Sequence, residues 1–326
     1  MNNLRKPHCF VELNDDAKRQ FIDSNAAFQA MEAARLAALE VRGGMYWKHA
    51  GKTDYLIRTS LSNSQKSLGV RSVETEAIFE RFTARKAMIE QRESDLRESL
   101  VRHRKMNRAL GVGRTPALVV GILNMLQSAN IAEHFTVVGT HALYAYEAAA
   151  GVLIMDSAAL QTRDVDLLWD TRKRIQFITQ MKIQKSSMIG LLQRVDPTFS
   201  IRQDQRYTAA NSKGFEVDIL RREAIEDDPH PVRLSDDEDD FWVTQAKNAG
   251  MLMSAPRFSS MIVSTSGVMA RMNTISPAVF CQFKRWLAQQ PDSEAMKRSR
   301  DLRQADLVEA LIEEYLPQWP LVQGQK

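Results

Sequence analysis

The sequence predicts an α+β protein: a mixed sheet core, preceded by a helical region that carries a small β-meander and followed by a helical C-terminal region. Three observations predict it. Long charged stretches near the N-terminus place apolar residues at helical spacing, short aromatic-containing runs at 45–68 are separated by turn residues, and three apolar strand-like runs lie between 135 and 220. The boundaries expected from these changes of character are 1–115, 116–230 and 231–326.

Residues 14–41 are rich in Ala, Glu and Arg, with Asn14, Asp15 and Asp16 as an N-terminal cap and Gly43-Gly44 as a stop. Met45–Lys48, Asp54–Arg58 and Ser64–Leu68 then read as a meander, split by the turn-like His49–Lys52 and Ser60–Asn63. From Val73 to about Leu110 a charged helical pattern returns, broken at most once, with opposite charges three and four residues apart. Gly111-Val112-Gly113-Arg114-Thr115-Pro116 ends it. A truncated phosphate loop is the sharper reading, but no strand precedes these glycines and the third is missing, so a loop leading into a helix at Pro116 is preferred. Residues 116–130 read as an apolar, buried helix.

Phe135–Val138 is a short β-prone run that ends at Gly139-Thr140, and His141–Ala150 is helical. Glycine lets the backbone approach a ligand, and the free N–H groups of a starting helix favour an anion. Such turns are common in α/β chains and decide nothing alone. Thr162–Trp169 (TRDVDLLW) adds more, because in a strand Asp164 and Asp166 point to one face. Two neighbouring carboxylates repel, and burial unpaired is unfavourable; a divalent cation resolves both. The plain alternative is an edge strand with both aspartates in water. Arg206–Ala210, the turn Asn211–Gly214 and Phe215–Leu220 form a hairpin whose second strand carries Asp218 between Val217 and Ile219. Glu216 shares its face and is the rival ligand.

Composition bounds the function. The chain has 326 residues, 44% hydrophobic and 26% charged, as in ordinary globular proteins. Its net charge is +4, and residues 1–114 hold 21 Lys and Arg against 14 Asp and Glu, an excess that suits a polyanionic partner or a solvated helix surface. Two distant cysteines, Cys9 and Cys281, argue against a disulfide framework or a cysteine zinc site. No apolar run approaches a membrane span and the start lacks an apolar signal core, so a cytoplasmic protein with no membrane partner is expected.

The order of a Gly-hydroxyl turn, an Asp-x-Asp strand and a later strand aspartate resembles the nucleotidyltransferase superfamily that includes DNA polymerase β. The stretch GTHALYAYEAAAGV…TRDVDLLWD…GFEVDIL, with YWK, KSLG, Gly113–Pro116, Ser254–Phe258, Phe283-Lys284 and Arg300–Ala305, is similar to a bacterial family of nucleotidyltransferase-fold proteins of unknown substrate. Two departures are visible: Thr140 replaces the usual Ser or Gly, and the interval from Thr140 to Asp164 is long enough to need an insertion around Gly151–Gln161.

The resemblance implies a nucleotidyltransferase-fold sheet and Mg2+ (or Mn2+) held by Asp164, Asp166 and Asp218, with a nucleoside triphosphate as substrate. Gly139 and Thr140 would bind its phosphates. Lys284 is the triphosphate cation the resemblance suggests, with Lys213 and Arg163 as weaker candidates and a solvated lysine as the plain reading. The expected reaction moves a nucleotidyl group to an unidentified acceptor, an RNA, a protein or a small molecule. The alternative is a non-catalytic nucleotide- or nucleic-acid-binding protein on the same fold. Leu168 stands where a haloacid-dehalogenase-type phosphatase needs Thr, and a metal-dependent glycosyltransferase does not require the Gly-Thr turn. His141 is read as a helix-start residue bonded to local backbone, and the acidic runs 226–228 and 236–240 as a solvated linker.

Overall fold

The computed structural model describes residues 10–60, 64–224, 232–235, 237–291 and 294–321. They divide into two compact units: one holds Arg19–Leu110, the other the residues up to Lys18 and from Gly111 onward. The described chain starts in the larger unit as β1 (Phe10–Glu12).

Helix α1 (Asp15–Glu40) follows, with Asn14 Oδ1 accepting from the Ala17 amide at 2.8 Å. In the smaller unit its buried residues Gln20, Ser24, Phe28, Met31 and Ala34 recur at helical spacing. Strands β2 (Gly44–Ala50), β3 (Thr53–Thr59) and β4 (Gln65–Val70) form the expected antiparallel meander. Helix α2 (Val73–Ala109) is unbroken over 37 residues, begun by reciprocal bonds between Ser72 and Thr75. Only Thr75, Ile89 and Asn107 of α2 are buried.

The larger unit continues with α3 (Ala117–Ser128), β5 (Phe135–Val138), α4 (Ala142–Ala150), β6 (Val152–Ile154), α5 (Ser157–Leu160) and β7 (Asp164–Trp169). Next come α6 (Arg174–Gln184), α7 (Met188–Gln193), β8 (Ser200–Ile201), β9 (Thr208–Ala210), β10 (Glu216–Arg221), β11 (Thr244–Gln245) and α8 (Ala249–Ser254). The hairpin β12 (Arg257–Val263) and β13 (Met269–Ile275) precedes α9 (Pro277–Ala288) and α10 (Ala295–Tyr315). The sheet order is β12-β13-β5-β7-β10-β9-β8, with β11 beside β10. It is mixed, as expected: β7 lies antiparallel to β5 and parallel to β10, and β13 is parallel to β5. No described helix is long and apolar enough to cross a membrane.

Two sequence expectations need correction. First, the C-terminal region 231–326, expected to be helical, also supplies β12 and β13. Residues Ser260–Val263 are buried in succession, so the strand shows little of the alternation that separates strand from helix in a sequence. Second, the acidic run before residue 241 is not all solvated. Asp240 is fully buried and accepts from the amides of Met188 at 3.0 Å and Ile189 at 3.1 Å, and from Ser235 Oγ at 2.8 Å. It caps α7; residues 226–228 and 236 lie outside the described residues. The insertion expected around Gly151–Gln161 is accommodated as β6 and α5. Its β6 pairs antiparallel with β1, Phe10 opposite Ile154, and the Arg114 guanidinium joins the buried Glu147 carboxylate to the Ile154 carbonyl. The Gly111–Pro116 segment is therefore a structural brace. Cys281 is a buried free thiol, and Cys9 lies outside the described residues.

Candidate metal centre

The carboxylates come together because two neighbouring strands alternate in phase. β7 and β10 are parallel, with Asp164 opposite Glu216 and Asp166 opposite Asp218. Val165, Leu167, Val217 and Ile219 point into the core, which turns the acids to the other face. Ligand oxygens of Asp164, Asp166 and Asp218 lie within 4.8 Å of one another, and all three residues are half-buried. Glu216 shares the face, but its carboxylate takes Arg202 Nη1 at 2.7 Å and is not among the three.

Two threonines that the sequence reading did not single out hold the cluster. Thr162 Oγ1 donates to Asp164, and Thr208 Oγ1 donates to Asp218 Oδ1. Thr208 sits opposite Asp218 in the β9–β10 hairpin, so counting back from the Asn211–Gly214 turn would have found it. Thr162 precedes Asp164 by two residues and carried no local signal.

No ion pair neutralises the three aspartates among the described residues. Burial pushes the Asp166 carboxyl up to about 7, reinforced by Asp164 and Asp218, while Lys284 and Arg300 act weakly against it. Asp218 is also raised, first by burial, with the Thr208 bond opposing. Close, unneutralised oxygen donors of this kind fit a hard divalent cation and offer nothing to a soft one.

The turn after β5 closes the site from one side. Gly139 has φ +76°, and a Cβ there would fall 2.5 Å from Asp166 Oδ2, so only glycine admits the carboxylate at this distance from the backbone. Thr140 is buried, with its Oγ1 3.0 Å from Gln304 Nε2. His141 is buried as well, but both ring nitrogens lack a hydrogen-bond partner, so the expected bond to local backbone is not formed. Burial pushes its pKa down to about 4, with Asp164 opposing, and the ring stacks on Tyr144 at 5.8 Å between centroids.

The cations come from the C-terminal helices. Lys284 of α9 is buried, 2.8 Å from Asp301 Oδ1. Arg300 of α10 has no carboxylate partner among the described residues. Its Nη1 reaches the Gln161 carbonyl at 3.3 Å and its buried Nε bonds to nothing. Lys213 and Arg163, the weaker candidates, form no ion pair with the three aspartates. Arg300 lies in the Arg300–Ala305 stretch of the resemblance, which gave it no role; the packing of α10 against α4 and α5 brings it near β7.

A family model described as Nucleotidyltransferase matches residues 117–323. The chain belongs to this nucleotidyltransferase family. The matched span begins at α3 and takes in every strand of the eight-stranded sheet and every metal-centre residue described above, and it leaves out β1, α1, the meander and α2. No curated protein and no solved structure matches the chain. The nucleotidyltransferase therefore combines a family-matched catalytic unit with an N-terminal unit that the family match does not reach.

Proposed function

We propose that this nucleotidyltransferase is Mg2+-dependent, belongs with the DNA polymerase β-like superfamily and moves a nucleotidyl group from a nucleoside triphosphate to a macromolecular acceptor. The observation that carries the reading is the convergence of Asp164, Asp166 and Asp218, without cationic partners, beside the Gly139-Thr140 turn.

Asp164 and Asp166 would hold the ion against the triphosphate, and Asp218 would complete the ligand set or take the proton of the acceptor hydroxyl. The ion, when bound, supplies charge neutralisation for the phosphates. The acceptor oxygen bonds to the α-phosphorus, the bond from that phosphorus to the bridging oxygen breaks, and pyrophosphate leaves. The Gly139 backbone and the Thr140 hydroxyl would contact the outer phosphates. Lys284 would join them by exchanging Asp301 for a phosphate, with Arg300 the cation that needs no such exchange.

The acceptor class is argued from α2. Residues 99–132 contain no Asp or Glu, and Arg102, Arg104, Lys105 and Arg108 are exposed without an ion pair among the described residues. At about 100° per residue they span an arc of roughly 160° of the helix surface. His103 and Asn107, on the opposite side, pack against Gln20. A cationic face of this size, with Glu98 one turn before Arg102 as its neighbouring acid, suits a nucleic-acid backbone, so RNA is the acceptor we favour. Labelled triphosphates, Mg2+ and fractionated cellular RNA and protein test both steps. Label should pass to an RNA fraction and be lost in Asp164→Ala/Asp166→Ala; transfer to no fraction would refute catalysis, and transfer to protein alone would refute the acceptor.

A further inference from the structure

We propose that Gln304 of α10 is a positioning residue that fixes the Thr140 hydroxyl as a hydrogen-bond donor to the outer phosphates of the substrate; this rests on the nucleotide-transfer reading of the same site. Gln304 is fully buried. Its Nε2 lies 2.6 Å from the Ala159 carbonyl and 3.0 Å from Thr140 Oγ1. A backbone carbonyl only accepts, so the amide must turn its nitrogen, not its oxygen, toward Ala159. The two Nε2 protons are then committed, one to Ala159 and one to Thr140.

The consequence falls on the threonine. Its oxygen receives a bond from Gln304, so its own proton is left over, and no acceptor for that proton is present among the described residues. A hydroxyl held this way keeps its proton free to donate to whatever enters the turn, and an anion is what such a donor binds. The opposite wiring, with an acceptor at position 304, would draw the Thr140 proton inward and present lone pairs to the phosphates.

A second observation separates this from ordinary packing. Gln304 Oε1 is buried without a partner. A buried carbonyl oxygen with no donor is unfavourable, and a Leu or Met would avoid it while filling similar volume. Keeping glutamine retains that defect together with the one group that can donate to both Ala159 and Thr140.

Calorimetric titration of the full chain with Mg2+-tripolyphosphate tests the wiring without an acceptor or a chosen base. Gln304→Met and Thr140→Ala should each weaken binding about tenfold. The double variant should be no weaker than Thr140→Ala alone, because Gln304 acts only through that hydroxyl. Gln304→Glu keeps the shape but accepts the Thr140 proton, so it should weaken binding further than Gln304→Met, and it carries the test if the methionine variant does not fold. Wild-type affinity in Gln304→Met, or multiplied losses in the double variant, would overturn the inference while leaving nucleotide binding intact. Failure of the wild type itself to bind would overturn the reading of the whole turn, and the inference with it.

Discussion

Replacing Asp166 with asparagine should stabilise the metal-free protein at pH 8 far more than at pH 5. In the unfolded chain this carboxyl ionises near 3.8; in the fold, burial and the neighbouring Asp164 and Asp218 carry it up to about 7. A raised carboxyl favours folding below its unfolded value, and that contribution is lost progressively as pH rises toward 7. At 1.36 kcal/mol per pKa unit the full penalty for ionised Asp166 has a ceiling of about 4 kcal/mol, of which about 1.6 is already present at pH 5. The asparagine gain should therefore be larger at pH 8 than at pH 5 by up to about 3 kcal/mol, and by about 1–2 after the site relaxes. Denaturant unfolding in chelator, at both pH values, measures it. Millimolar Mg2+ should reverse the order by binding only the wild type, with about 2.7 kcal/mol gained at a hundredfold excess over Kd. An equal gain at the two pH values, or a loss at pH 8, would refute the account of a repulsive, unneutralised cluster.

Other perturbations probe the surroundings. Gly139→Ala combines a positive φ with a Cβ placed on Asp166 Oδ2, and should lower stability by about 1–3 kcal/mol and abolish the thermal shift produced by Mg2+. Arg114→Met strips the buried Glu147 of its cation and should cost about 3 kcal/mol near neutral pH. Because burial already raises Glu147, the loss should shrink as pH falls, and unfolding at pH 5 and 8 measures the difference. Changing Arg102, Arg104, Lys105 and Arg108 together to Gln should flatten the log–log dependence of RNA affinity on salt by about 3, as filter binding would show.

The site was legible where chemistry and periodicity coincide. Asp164 and Asp166 stand out because a strand that buries Val165 and Leu167 must turn both acids to one side, and Gly139 because a short apolar run stops at it. The apolar flanks of Asp218 favoured it over Glu216, the rival on the same face, and in the structure Arg202 occupies Glu216. Other features had no local mark. Gln304 meets Thr140 across 164 positions of chain, and no window of sequence contains that pair. β12 escaped notice because Ser260–Val263, buried in succession, lose the alternation on which strand reading depends. Asp240 escaped because one acid in an acidic run looks like the others until α7 is set against it.

The pairing of β1 with β6 bears on how the chain is made. Phe10 leaves the ribosome before its partner Ile154, which follows about 140 residues later. At 5–20 residues per second that is a wait of about 7–30 s, during which Arg19–Leu110 has emerged and had time to fold. The first strand of the larger unit is thus a late addition in time, and residues 19–110 form a loop that closes only when β6 arrives. Synthesis order would then let the smaller unit mature before the eight-stranded sheet exists.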